Sequence, residues 1–147
     1  MIAIASDHGA YHLKEMIKAH LKTRGLDFRD FGTNSTESCD YPEFAAKAAR
    51  AVSTGLCDRG IVLCTTGIGV SIVANKVPGV RCALCTNVFM AEMTRRHNDS
   101  NVLALGAAIT DEALSLAIVD TWLDTPFEGG RHQKRVDQIT NIEQNGG

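Results

Sequence analysis

Two apolar periods alternate along this chain. Residues 2–5, 26–31, 60–64, 80–85 and 102–105 form short runs rich in β-branched and apolar side chains that read as strands. Between them the spacing lengthens to that of a helix. Leu13, Met16, Ile17 and Leu21 share one face and stop at Gly25, while Phe44, Ala45, Ala48, Ala49 and Val52 share another behind Pro42. Asp111 reads as an N-cap ahead of Leu114, Ala117, Ile118 and Trp122. Five strands alternating with helices predict an α/β fold. A parallel connection needs a crossover and crossovers cover both faces of the sheet, so the expected architecture is a three-layer α/β/α sandwich around a five-stranded parallel sheet. After Trp122 the alternation ends. The segment TPFEGGRHQKR passes a Pro and two Gly, and a last helix carries Val136, Ile139 and Ile142 with no strand after it. That helical tail either covers the sheet or docks onto a second subunit.

Composition narrows the possibilities. At 147 residues and 44% hydrophobic content the chain supports one core and is too short for two ordinary domains, so residues 1–147 read as one domain. A net charge of -2, spread along the chain, favours neither nucleic acid nor an anionic membrane as partner. No apolar stretch approaches the roughly 20 residues of a membrane span, and MIAIASDHGA meets Asp7 and His8 too early for a signal peptide, so a cytoplasmic location is expected. The five cysteines are odd in number, and their one close pair, Cys82 and Cys85, lies in an apolar run without a matching second pair. Neither a disulfide framework nor a zinc site is expected.

In open parallel sheets ligands bind outside the carboxyl ends of the strands, which directs attention to the residues just after each one. After the first strand, SDHGA places Asp7 and His8 before a helix. They are either a cap and a solvated loop residue or an acid and an imidazole that meet substrate oxygens. After the third, GIVLCTTGIGVS combines Gly67 and Gly69, which let backbone amides approach a ligand, with a helix starting near Val70. Such a site stabilises an anion or a developing oxyanion. The segment lacks the Lys and the spacing of a nucleotide phosphate loop and is not GxGxxG, so nucleotide binding is disfavoured. Cys64 ends the strand facing that helix start, a setting that favours thiolates and so a base, whereas the other four cysteines read as small core residues. TRRHNDSNVLALG places His97 and Asn98 at a helix end, where a structural cap would look the same. Arg131 and Arg135, four residues apart in GGRHQKR, share a helical face; they suit a phosphate, although a solvated basic face is the commoner meaning of such a pair.

Taken in order, SDHGA, DYPEFA, CTTGIGVSIVANKVPGVR, RRHNDSNVLALG and EGGRHQKRV make the chain resemble, nearly end to end, the type B ribose 5-phosphate isomerase family. That family includes galactose 6-phosphate isomerase subunits and allose 6-phosphate isomerases. The resemblance implies a Rossmann-like domain that forms a homodimer, with tetramers left open, and active sites built from both subunits, the tail from about residue 125 contributing to each. It implies interconversion of ribose 5-phosphate and ribulose 5-phosphate through a cis-enediolate, with a six-carbon sugar or sugar phosphate as the alternative substrate. A non-catalytic sugar-phosphate sensor on the same scaffold would have no need of a thiolate beside an oxyanion site. By the same resemblance Cys64 is the base, and Thr66 with the amides of Gly67, Ile68 and Gly69 holds the enediolate oxygens. His97 opens the furanose ring, and Asp7 and Asn98 position sugar hydroxyls. His8, Arg131 and Arg135 hold the phosphate, and Tyr41 lines the pocket near Asp40. Moving one proton between adjacent carbons leaves the sugar's oxidation state unchanged, so neither cofactor nor metal is expected. Two positions depart from the family's pattern. Thr65 stands where Gly is usual and narrows the site or shifts its loop; Ala108 stands where many relatives have Arg, which removes one phosphate contact.

Overall fold

The computed structural model describes residues 1–146. Its strands are β1 (Ile2–Ser6), β2 (Phe28–Asp30), β3 (Arg59–Cys64), β4 (Cys82–Leu84) and β5 (Val102–Gly106). All pair in parallel in the order β2-β1-β3-β5-β4. Helices α1 (Tyr11–Thr23), α2 (Tyr41–Ser53), α3 (Ile68–Ala74), α4 (Val88–Met93), α5 (Glu112–Asp124) and α6 (Arg131–Asn145) complete the sandwich. The edge strands β2 and β4 are three residues each, shorter than their six-residue apolar runs, because each has a partner on one side only. The helix expected near Val70 starts two residues earlier, at Ile68.

Strand side chains alternate between faces, and here the alternation sorts them by size. Ala3, Ala5, Val62, Cys64, Val102 and Ala104 meet α2 and α3, whose own contacts are Ala45, Ala48, Ala49, Val70 and Ala74. Ile2, Ile4, Ile61, Leu63, Leu103 and Leu105 meet α1 and α5 on the other face, around Ile17, Leu21, Ile118 and Trp122. Small residues on both sides let α2 and α3 sit close to the sheet. Cys64 belongs to that face, so its sulfur is directed toward the layer that carries the start of α3.

The chain leaves β1 toward one edge of the sheet and returns through β3 to the other side. The crevice between the carboxyl ends of β1 and β3 is therefore the topological switch point, where open α/β sheets bind ligands. Asp7 follows one of these strands and Thr65 the other.

A buried ion pair steadies that edge. Lys14 of α1 is fully buried; its Nζ donates to Asp30 Oδ1 at 2.7 Å and Oδ2 at 2.8 Å, and to the Thr33 carbonyl. Lys18 adds a bond to Asp30 Oδ2 at 2.8 Å. The loop after β2 is bonded to the end of β1, Ser6 N donating to Gly32 O and Thr33 N to Ser6 O, each at 2.7 Å. Burial pushes the Asp30 carboxyl up, but bonds from Lys14, Lys18 and the Gly32 amide outweigh it and hold the group below the usual carboxylate range. Asp30→Asn strands the Lys14 ammonium in the interior and should destabilise the chain by about 3–5 kcal/mol, measured by urea denaturation at neutral pH. A depressed carboxyl contributes stability above the ordinary carboxylate range and loses it as pH falls through the folded-state value. The variant's acid-denaturation curve should therefore lack that component, and a curve parallel to wild type would contradict the assignment. Among the described residues no helix is long and apolar enough to cross a membrane.

Candidate active site

β1 delivers Asp7, 7% exposed, whose Oδ1 accepts from Ala10 N at 3.2 Å and so caps the 3-10 turn His8–Ala10. His8 is half-buried, and its Nδ1 accepts from Cys39 N at 3.2 Å. The neutral imidazole consequently carries its proton on Nε2.

β3 delivers Cys64, 5% exposed, at the base of a cleft of about 490 Å³. Asp7, Tyr41, Thr65, Thr66, Ile68, Gly69 and Ile72 line the rest of it. The size suits a small ligand. Gly67 adopts φ 79°, which turns the chain from β3 into α3 and lets its N–H donate to Cys64 Sγ at 3.2 Å. Of the three amides expected to face an oxyanion, Gly67's is thus given to the sulfur and Ile68's to Thr66 Oγ1 at 3.2 Å. Gly69's has no protein acceptor among the described residues. Gly69 also makes room for Tyr41, since a Cβ there would fall 2.6 Å from the ring. Ala107 N and Ala108 N donate to the carbonyls of Cys64 and Thr65, both at 2.9 Å, and fix the loop to the segment after β5.

A second group lies on the π-helical turn Thr94–Asn98 and on α6. The His97 and His132 rings stack with centroids 4.1 Å apart and planes 10° from parallel. His132 is buried; burial, then the neighbouring His97 and Arg131 charges, lower its pKa. Glu128 Oε2 lies 3.5 Å from its Nε2, as does Arg131 Nε. Arg131 and Arg135 are exposed in the first two turns of α6, and neither forms an ion pair among the described residues. Two guanidiniums without carboxylate partners on one face are suited to an anion. Asn98 is exposed; its carbonyl accepts from Arg81 Nε at 2.9 Å. The candidate ligand atoms of His97, Glu128 and His132 lie within 4.8 Å of one another. The parallel stack, however, sends the in-plane lone pairs of the two rings alongside each other and not onto one point, an arrangement ill suited to a shared ion.

The structure therefore brings Asp7, Tyr41, Cys64, Thr65, Thr66, Ile68 and Gly69 to one cleft, with Gly67 buried behind them. His8, His97, Asn98, Arg131 and Arg135 do not border it.

A family model described as Ribose/Galactose Isomerase matches residues 2–139. The chain belongs to the ribose/galactose isomerase family. Ribose-5-phosphate isomerase B of Escherichia coli is 48% identical over 143 residues, spanning 97% of this chain and 96% of that protein. The Clostridium thermocellum ribose-5-phosphate isomerase B structure superposes with a TM-score of 0.97 at 56% identity, covering 99% of both chains. A Mycoplasma genitalium ribose-5-phosphate isomerase B structure with bound ribulose-5-phosphate gives a TM-score of 0.94 at 41% identity, covering 98% of this chain and 96% of that one.

Within this ribose/galactose isomerase several site features were absent from the sequence reading. His132 stands beside Arg131 in GGRHQKR, and its burial on α6 is a product of packing that the segment does not display. Ile72 lines the cleft one helical turn after Ile68. A Cβ on Gly9 would come 2.6 Å from Thr65 Oγ1, which places the Thr65 side chain against the turn that carries His8.

Proposed function

We propose that this chain interconverts ribose 5-phosphate and ribulose 5-phosphate, with Cys64 as the base. The observation that carries the reading is the Cys64 sulfur at the base of a small-ligand cleft, accepting the Gly67 amide at 3.2 Å. In the aldose-to-ketose direction His97 opens the furanose ring. Cys64 takes the proton from C2, leaving a cis-enediolate, and returns it to C1 while a proton passes between O2 and O1. Thr66 and the free Gly69 amide hold the enediolate oxygens, with the Ile68 amide joining when the Thr66 hydroxyl turns to substrate. Asp7 and Asn98 position hydroxyls, Tyr41 walls the pocket, and His8, Arg131 and Arg135 hold the phosphate. Phosphate binding orients C1 and C2 against the sulfur.

The active enzyme is a homodimer in which His97, Asn98 and the two arginines reach the cleft from a second copy. Two observations support this. Those residues do not border their own chain's cleft, and Ile68, Ile72, Val88, Phe89, Met90 and Ile109, all on segments that follow β3, β4 and β5, leave large apolar side chains exposed. We assign the enzyme to the cytoplasm, a reading that five free cysteines fit.

Mixing two inactive variants tests the reading. Cys64→Ala and His97→Ala are each expected to be inactive on ribose 5-phosphate, but a heterodimer of the two contains one site with both groups intact. Equimolar variants unfolded and refolded together should recover about a quarter of wild-type activity, the share expected from random pairing of subunits. Sites built within one chain would recover nothing, and that outcome overturns the shared site.

A further inference from the structure

We infer that His132 is a positioning residue for ring opening: its imidazole is the flat plate that sets the plane of the His97 ring while leaving both His97 nitrogens free for substrate. The inference rests on the reading of His97 as the ring-opening group. Opening a furanose breaks the O1–H and C1–O4 bonds and forms C1=O1 and O4–H. An imidazole that takes the first proton and supplies the second uses its nitrogens on the sugar. A hydrogen-bonded carboxylate or carbonyl, the usual means of orienting a histidine, would occupy one of them. Among the described residues the His97 ring makes no hydrogen bond, and its contact of defined geometry is the face of His132 at 4.1 Å. Orientation through the face is what this chemistry requires.

The backbone and the plate are both well anchored. Beside His97, the buried Arg95 ties the π turn down, donating to Thr125 O at 3.2 Å and to Ser100 O at 2.7 Å. His132 is 4% exposed in the first turn of α6, with its amide on Gly129 O at 3.0 Å and its Nε2 flanked by Glu128 and Arg131. Burial and the adjacent positive groups favour its neutral form, so when His97 gains a proton it lies over a neutral ring face. The same residue adjoins Arg131, so ring opener and phosphate clamp share one support.

The test separates ring opening from proton transfer. Ribulose 5-phosphate has its 5-oxygen esterified and cannot close a furanose, so exchange of its C1 hydrogen with solvent deuterium needs the base but not ring opening. Turnover of ribose 5-phosphate needs both. His132→Leu fills the volume without a flat face, and His132→Phe restores the face without the nitrogens. The Leu variant should lose about tenfold in ribose 5-phosphate kcat, the scale of one aromatic contact, with C1 exchange within about twofold of wild type. The Phe variant should recover most of that loss. Equal loss of both rates, or Phe performing no better than Leu, would overturn the inference. His97→Ala is the control. If it loses ribose 5-phosphate turnover while both His132 variants keep theirs, the positioning role alone falls; if His97→Ala keeps full turnover, the ring-opening reading falls first.

Discussion

Cys64→Ser is expected to lower kcat for ribose 5-phosphate by about 10²–10⁴-fold, the range contributed by a positioned general base, while the thermal midpoint stays close to wild type. The swap keeps the size and the Gly67 contact of the side chain but replaces a thiol by a hydroxyl, which does not ionise near neutral pH. Cys64→Ala should be at least as inactive. Both variants should also lose deuterium exchange at C1 of ribulose 5-phosphate, and this distinguishes them from His97→Ala, which should retain it. Because Cys64 lies on the small-residue face of the sheet, neither change opens a large cavity. A folded Cys64→Ala variant with most of its turnover would remove the base from the proposed mechanism.

Gly106→Ala should act on the same loop from behind. Gly106 pairs with Cys64 in the β3–β5 register, and the Thr66 backbone passes directly over it. A methyl group there meets the carbonyl carbon and oxygen of Thr66, and backbone has no rotamer through which to escape. The loop must lift away from the strand end, taking Thr66 and the Ile68 and Gly69 amides with it. Overpacking of this kind costs about 1–3 kcal/mol, to be read by urea denaturation. Misplacement of the oxyanion donors by about 1 Å should reduce kcat/KM by roughly 10²-fold, more than the stability loss explains at a temperature where the variant is fully folded. Wild-type activity in a folded Gly106→Ala variant would show that the loop's seat on β5 is unimportant.

The value of the sequence reading differs between the two halves of the site. Asp7 follows β1, Cys64 ends β3 and the glycines of CTTGIGVS lie in the turn after it, so the switch-point rule applies to them once the strands are recognised from their period. His97, Arg131 and Arg135 belong to elements whose place relative to the cleft no period encodes. His132 escapes a sequence reading because a histidine between Arg131 and Gln133 in a polar helical segment resembles a solvated one. Its burial and its stack depend on how α6 lies against the turn after α4.

By itself the sequence determined the five parallel strands, their covering helices and the strand ends at which chemistry is possible, because apolar period and chain direction are local properties. The small-large alternation in β1, β3 and β5 was likewise written there, and with it the side of the sheet that receives Cys64. Only the tertiary structure decided that the Gly67 amide is spent on the sulfur, that the histidine and arginines stand clear of their own chain's cleft, and that the His97 ring stacks on the His132 ring. Each of these is a relation between segments distant in sequence or a turn of the backbone, fixed by packing geometry that residue order does not display.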